Sequence, residues 1–302
     1  MTALAVGLLL VSAAAHAGWN LLTKRSQPSA AFFLVASAVG MVLFLPVLVL
    51  QRAELAAFPA AVWVLVAVTG AFLTVYYWSL ARAYRGGEMS VAYPIARSSP
   101  IIVVTVATLV LGQGDEISTL CVVGIVLVVG GCYLVPMRRF GDLRLRNFLT
   151  ATAVLALLAA CGTAGYSMVD DAALVRLRDT FAGELSTLTV TLMYACLETV
   201  SACVWLGVTV AASRSERARL REVGCYGKRA AVLAGVLLAG GYALVLVSMA
   251  FVANVSYVVA FRQVSIPLGA ALGILVMHER ACAPKLTGVA VILVGLVLVA
   301  LG

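Results

Sequence analysis

The sequence predicts an all-α, polytopic membrane protein in which ten transmembrane helices form two inverted repeats of five. Three observations carry that expectation. The first is composition: of 302 residues, 63% are hydrophobic and 11% charged, which lies outside the range of soluble globular domains. The second is segmentation, because apolar runs of about 20 residues, the length that crosses a bilayer, use nearly the whole chain. The third is an ordered set of correspondences between the two halves.

The spans fall at 2–23, 29–50, 60–83, 88–111, 117–136, 147–170, 184–212, 228–252, 254–277 and 284–301. The first resembles a secretory signal in its small apolar residues, but it lacks a basic leader and is too long for a signal core. It runs through His16, Trp19 and Asn20 to Lys24 and Arg25, and is read as a retained helix. The fourth contains YPIARSSP at 93–100. There Pro94 and Pro100 each remove an intrahelical hydrogen bond, predicting a hinge or a broken helix of the kind tolerated where backbone lines a cavity or is covered by protein. Pro267 predicts a similar irregularity in the ninth. The longest connection, SRSERARLREVGCYG at 213–227, is read as a charged surface turn.

Charge placement orients the chain. The net charge is +8, yet nucleic acid is not the expected partner, because the basic residues gather at connections. Odd-numbered connections and their flanks hold 16 Lys and Arg residues, among them Arg82, Arg85, Arg138, Arg139, Arg214 and Arg217. Even-numbered ones hold Arg52, Arg176 and Arg178 only. By the positive-inside rule, the odd connections are cytoplasmic and both ends of the chain lie outside. The high Ala, Val and Arg content suggests a GC-rich bacterial source, hence an inner membrane. The seven cysteines contain no C-x-x-C pair and are read as packing residues, not metal ligands or a disulfide frame. No metal or cofactor is expected.

The repeat divides the chain at 1–140 and 141–302. AGWN at 17–20 corresponds to AGYS at 164–167, and an offset of 165 pairs Arg97 with Arg262, Gly70 with Gly235 and Tyr77 with Tyr242. Gly124 and Gly288 stand 164 apart. Five helices is an odd number, so the second half enters the bilayer from the opposite side. That architecture belongs to secondary transporters, whose solute sites lie near midplane between the halves. It also removes the need for a dimer to build the cavity, so a monomer is expected.

Together HAGWNLLTKRS at 16–26, YPIARSSP at 93–100, GTAGYSMVDDAAL at 162–174 and FRQVSIPLGAALGILVMHER at 261–280 resemble the drug/metabolite transporter superfamily, in particular its EamA-type ten-helix members. The resemblance spans both halves. It implies a carrier of small metabolites, often an exporter, either facilitative or coupled to protons or another gradient. The chain departs from the family at GQGDEIS, 112–118, where a Gly-Glu-Arg type turn is usual. It also lacks the first-helix glutamate of the small multidrug members.

Ionisable groups at membrane depth cost roughly 2.5–3.5 kcal/mol each even on lenient scales, and so face cavities or partners. Arg97 and Arg262 each lie about nine residues into a span, roughly 13 Å deep at 1.5 Å per residue. They either hold an anionic group of the solute or lock the halves together against carbonyls or a carboxylate. Gln263 extends the polar capacity beside Arg262. Glu198 is read as the only carboxylate well inside a span, serving either proton coupling or a salt bridge to an arginine. His16 and Asn20, an i, i+4 pair, share a face, and His16 either binds solute, relays protons or satisfies an interhelical hydrogen bond.

Tyr76, Tyr77, Trp78, Tyr84, Tyr93, Tyr242 and Tyr257 line a cavity or anchor at interfaces; the repeat favours Tyr77 and Tyr242. Asp115, Glu116, Asp170 and Asp171 are expected at solvated edges or gates, and Gly70, Gly86, Gly87, Gly240 and Gly241 at close helix contacts. The absence of a nucleophile elbow, an H-E-x-x-H motif or a phosphate loop argues against an enzyme.

The expected site is thus His16, Trp19, Asn20, Tyr77, Arg97, Tyr242, Arg262 and Gln263, taking a small anionic or zwitterionic metabolite such as an amino acid or organic acid. The alternatives are proton-coupled export of lipophilic cations through Glu198 and, in another class, a non-transporting scaffold or sensor.

Overall fold

The computed structural model describes residues 2–26, 28–86, 89–110, 112, 117–142, 150–277 and 280–302. Within them the chain is all helical and contains no strand. Twelve α-helices follow in order: α1 Ala3–Arg25, α2 Ala30–Leu50, α3 Ala60–Gly86, α4 Met89–Val110, α5 Thr119–Leu134, α6 Ala151–Thr180, α7 Thr187–Ala212, α8 Arg214–Glu222, α9 Lys228–Ser248, α10 Val255–Phe261, α11 Ser265–Met277 and α12 Ala283–Leu301.

Eight segments are long and apolar enough to cross a bilayer, and Ser98–Val110 and α5 are shorter apolar helices. Their outer faces carry unbroken apolar surface, with Val42, Val64, Val126 and Leu275 all more than 60% exposed. Such surface suits lipid and not water. The chain is therefore a multi-pass membrane protein.

Helix starts are set by side-chain caps. Thr2, Ser29, Ser118, Thr150, Ser186 and Asn254 each accept a hydrogen bond from a backbone N–H of the helix they precede, satisfying a donor that lipid cannot. The turn from α6 to α7 passes through Gly183 at φ +81°, a left-handed conformation that costs glycine nothing.

Two expectations about the elements are corrected. First, α6 does not end at residue 170 but continues to Thr180, carrying Asp170 into the protein interior. Second, the 213–227 connection is not a plain turn. Its first part is the helix α8, whose buried Glu216 accepts a hydrogen bond from Ala31 N at the start of α2 (3.2 Å) and pairs with Arg85 at 3.7 Å. Arg85 also donates to the carbonyl of Pro28. Burial, reinforced by Arg219, lowers its proton affinity, and Glu216 opposes that effect. The ninth span is two helices. A 3₁₀ turn, Arg262–Val264, separates α10 from α11, because Pro267 has no N–H for the carbonyl of residue 263. By contrast α4 is helical through both Pro94 and Pro100.

The helices pack mainly as α3 with α6, α5 with α12, α1 with α9 and α2 with α7, with further contacts of α2 on α9 and α3 on α7. Glycines set the closest approaches. A Cβ on Gly124 would lie 2.6 Å from the carbonyl oxygen of Gly295, and one on Gly295 equally close to that of Gly124. Gly131 and Gly288 oppose each other in the same way at 2.7 and 2.9 Å. Gly70 meets Ser201, Gly235 meets Ala36, Gly165 meets Phe72 and Gly18 meets Leu237. Gly240, expected at a close contact, has nothing within 4 Å.

Two apolar clusters fill opposite ends of the bundle. One gathers Leu9, Val62, Val104, Leu174, Met193 and Leu246. The other gathers Phe32, Phe33, Leu80, Ala156, Leu206 and Ala234. Tyr242 packs against both.

Substituting Gly124 or Gly162 by Ala should lower the thermal stability of the detergent-purified protein by about 1–3 kcal/mol, the usual cost of overpacking. The atoms opposing Gly162 are all backbone, and those opposing Gly124 include the Gly295 carbonyl oxygen and Val299 N, none of which can yield. Gly207→Ala, with open space around it, should leave the melting temperature within a degree or so of the parent.

Candidate functional site

Between the two apolar clusters lies a cavity. Its polar and aromatic wall comprises His16, Trp19, Tyr76, Tyr77, Tyr166, Tyr242, Arg262 and Gln263. Leu73, Leu80, Ala96, Pro100, Thr163, Leu238 and Val259 complete it. The wall is drawn from α1, α3, α4, α6, α9, α10 and the 3₁₀ turn.

Arg262 projects from that turn. Its Nη2 donates to the hydroxyl of Tyr166 at 3.3 Å and faces His16 Nε2 at 3.5 Å. Its guanidinium carbon lies 5.1 Å from the ring centre of Tyr242 and 5.9 Å from that of Tyr166, within cation–π range. The tyrosines stand edge to face, 5.5 Å apart. Arg262 Nη1 is buried with no hydrogen-bond partner among the described residues, as are Gln263 Oε1 and Trp19 Nε1. None of the described carboxylates pairs with Arg262. Gln263 Nε2 and Ser265 Oγ donate to the carbonyls of Val259 and Arg262, covering backbone exposed by the helix break.

His16 is held from behind. Its Nδ1 lies 2.9 Å from the carbonyl of Ser12, and Ser12 Oγ donates to the carbonyl of Gly241 at 2.7 Å. A carbonyl only accepts, so Nδ1 carries the hydrogen and Nε2 is left as an acceptor facing Arg262.

Behind Tyr242 lies a buried carboxylate that sequence reasoning assigned to a solvated edge. Asp170 is 0% exposed and accepts three hydroxyls: Thr69 of α3 and Tyr194 of α7, each at 2.6 Å, and Tyr242 of α9. Helices α3, α7 and α9 are thus tied to α6 through one side chain. The run DDAALVRLRDT obscured it, since charges at 170, 171, 176, 178 and 179 look like a helix end. The signal that was available is a phase argument: Asp170 lies one turn from Tyr166 on a single helix face.

A second, smaller cavity adjoins the first and shares Leu73, Tyr77, Leu238 and Tyr242 with it. Glu198 lies in its wall, 2% exposed, and forms no ion pair with a described arginine.

Of the residues predicted from sequence, the structure places His16, Trp19, Tyr77, Tyr242, Arg262 and Gln263 around the main cavity. Asn20 is not in its wall; its amide donates to the carbonyl of His16 at 2.7 Å, a bond along its own helix. The side chains of Arg97, Pro94, Tyr84 and Tyr93, and residues Gly87, Asp115 and Glu116, lie outside those described. Tyr257 belongs to the far end, where its hydroxyl bonds to Ser118 N and the carbonyl of Gly302.

Residues 3–137 match the EamA-like transporter family. That stretch is the first five helices, so the first part of the chain carries an EamA-like domain. A solved crystal structure, described only as that of a protein, superposes with a TM-score of 0.69 at 15% identity, covering 100% of this chain and 98% of that one. At that identity the likeness concerns fold alone, and it extends over both halves. No curated protein matches the chain in sequence. The matched family is one of transporters, not enzymes, and among the described residues no group of three or more His, Cys, Asp or Glu could hold a metal ion.

Replacing Asp170 by Ala would strand three hydroxyls and should destabilise the detergent-purified protein by several kcal/mol, about 1–3 kcal/mol for each donor left unsatisfied. Tyr242→Phe removes one donor and should cost about 1.5–3 kcal/mol. Thermal unfolding followed by tryptophan fluorescence distinguishes the two.

Proposed function

We propose that this protein is a secondary transporter of ten transmembrane helices in two inverted halves, 1–140 and 141–302. It moves a small anionic or zwitterionic metabolite across the cell membrane by alternating access, as an exporter acting as a monomer.

The pattern of contacts supports the internal duplication. With an offset of 165, the contact of Gly70 with Ser201 becomes that of Gly235 with Ala36. With 147 for the first helix of each half, Gly165 against Phe72 becomes Gly18 against Leu237. With 164, Gly124 against Gly295 becomes Gly288 against Gly131. Each is an exchange of partners between halves, as a two-fold axis in the membrane plane requires. The distribution of Lys and Arg supports a cytoplasmic location for the face carrying α8.

The observation that carries the substrate class is Arg262: a guanidinium in the cavity wall whose Nη1 has no partner among the described residues. Guanidinium is charged at every physiological pH and offers a planar fork matched to carboxylate or phosphate oxygens. Gln263 Oε1 and Trp19 Nε1 add an acceptor and a donor, and the tyrosines present flat apolar walls for the rest of a small solute.

Thermal-shift screening of the purified protein against amino acids, organic acids, phosphorylated metabolites and lipophilic cations tests this. A ligand at 100 times its dissociation constant adds about 2.7 kcal/mol. An anionic or zwitterionic compound should stabilise the parent, lose that effect in Arg262→Gln, and undergo net flux in liposomes. Stabilisation by cations alone, or unchanged binding in Arg262→Gln, would overturn the assignment.

A further inference from the structure

The second cavity has no part in that reading, yet it contains the least satisfied buried carboxylate described. Glu198 and Asp170 are buried to a similar degree, but their surroundings are opposite. Asp170 receives three hydroxyl hydrogen bonds; Glu198 receives none from any described residue. An ionised carboxylate without donors in a protein interior costs several kcal/mol, so a charge on Glu198 calls for a positive partner brought from outside the chain.

The rest of that wall supplies oxygen lone pairs and little else. Thr199 Oγ1 directs its hydrogen to the carbonyls of Ala195 and Cys196, at 3.0 and 2.8 Å, leaving its lone pairs available. Ser37, 3% exposed, bonds to no described residue. The hydroxyls of Tyr77 and Tyr242 belong to residues shared with the larger cavity. Apart from these the lining is alanine, leucine and Phe44. A donor set of oxygens alone suits a hard cation and disfavours soft transition metals, and a single unpaired carboxylate balances one positive charge.

We infer that the second cavity binds a small monovalent cation, either an alkali ion or the primary ammonium group of a solute, with Glu198 as its counter-charge and Ser37 and Thr199 as oxygen ligands. The two cavities share the wall formed by Tyr77 and Tyr242, so a cation beside Glu198 also cancels a negative charge that would repel an anion at Arg262. Occupancy of either site then favours occupancy of the other, as a reciprocal coupling.

The test is the melting temperature of the purified full-length protein titrated with NaCl, KCl or methylammonium chloride. Ionic strength is held constant with choline chloride, pH is fixed, and no organic anion is added. A saturable rise with Na⁺ or K⁺ identifies an alkali site, and one with methylammonium alone identifies an ammonium site. In either case the isosteric Glu198→Gln should raise the half-saturating concentration roughly tenfold or more, as loss of a charge-assisted contact implies. Ser37→Ala should shift the same midpoint by less, and reads the site if the glutamine variant fails to fold. Arg262→Gln removes a positive charge that opposes a cation beside Glu198, so it should keep the cation response or shift its midpoint to lower concentration while abolishing the anion response, and failure of the anion assignment and failure of this one are told apart. The inference is overturned if no cation outperforms choline in the parent, or if Glu198→Gln keeps the parent midpoint.

Discussion

A guanidinium held inside a hydrocarbon slab must be given by the protein what water would have given it, and the site around Arg262 is built to that requirement. The helix that carries it is broken by a 3₁₀ turn, which brings the side chain out between α10 and α11. Two tyrosine rings and one tyrosine hydroxyl face it. The acceptor nitrogen of His16 is aimed at it by a bond to Ser12. A carboxylate stands one tyrosine away, since Tyr242 contacts Arg262 with its ring and Asp170 with its hydroxyl. The charge is therefore compensated at a distance and stays available on the cavity side, as a solute site requires.

Asp170 is the junction of this design. Its carboxylate joins α3, from the first half of the chain, to α6, α7 and α9 from the second, so the position of Tyr242 in the cavity wall is fixed by packing between halves. Glycine contacts set that packing. Where backbone meets backbone at 2.6–2.9 Å from a notional Cβ, as between α5 and α12, small residues let helices approach closely enough for dispersion to hold them in lipid. At one face of the bundle, Glu216 of α8 covers the N-terminus of α2 and pairs with Arg85 at the end of α3, joining three connections outside the apolar core.

What the sequence made legible follows from what is periodic or conspicuous in it. Apolar runs of bilayer length gave the helices, and ordered glycine and tyrosine correspondences pointed to Tyr77, Tyr242 and Arg262, which share one cavity wall. The misreadings have a common cause: polar residues within a helix look like its end. The charges from Asp170 to Asp179 thus mimic a helix end although α6 runs on to Thr180, and the charged run of α8 mimics a turn. Asn20 shares a face with His16 as its spacing implies, yet its amide turns back to the carbonyl of residue 16, a choice that spacing does not reveal. Tyr166 lies within the AGYS motif, where its small neighbours mark the repeat and give no sign that its hydroxyl meets Arg262.

Exposure of one cavity to both sides of the membrane in turn is what distinguishes a carrier from a scaffold with an internal pocket. The direct measurement replaces the seven native cysteines, introduces Thr163→Cys in the cavity wall, and labels oriented vesicles with a membrane-impermeant thiol reagent from each side. The account predicts labelling from both faces, with the ratio shifted by a bound anionic or zwitterionic solute and the shift lost in Arg262→Gln. Labelling from one face only, in the presence and absence of solute, would contradict it.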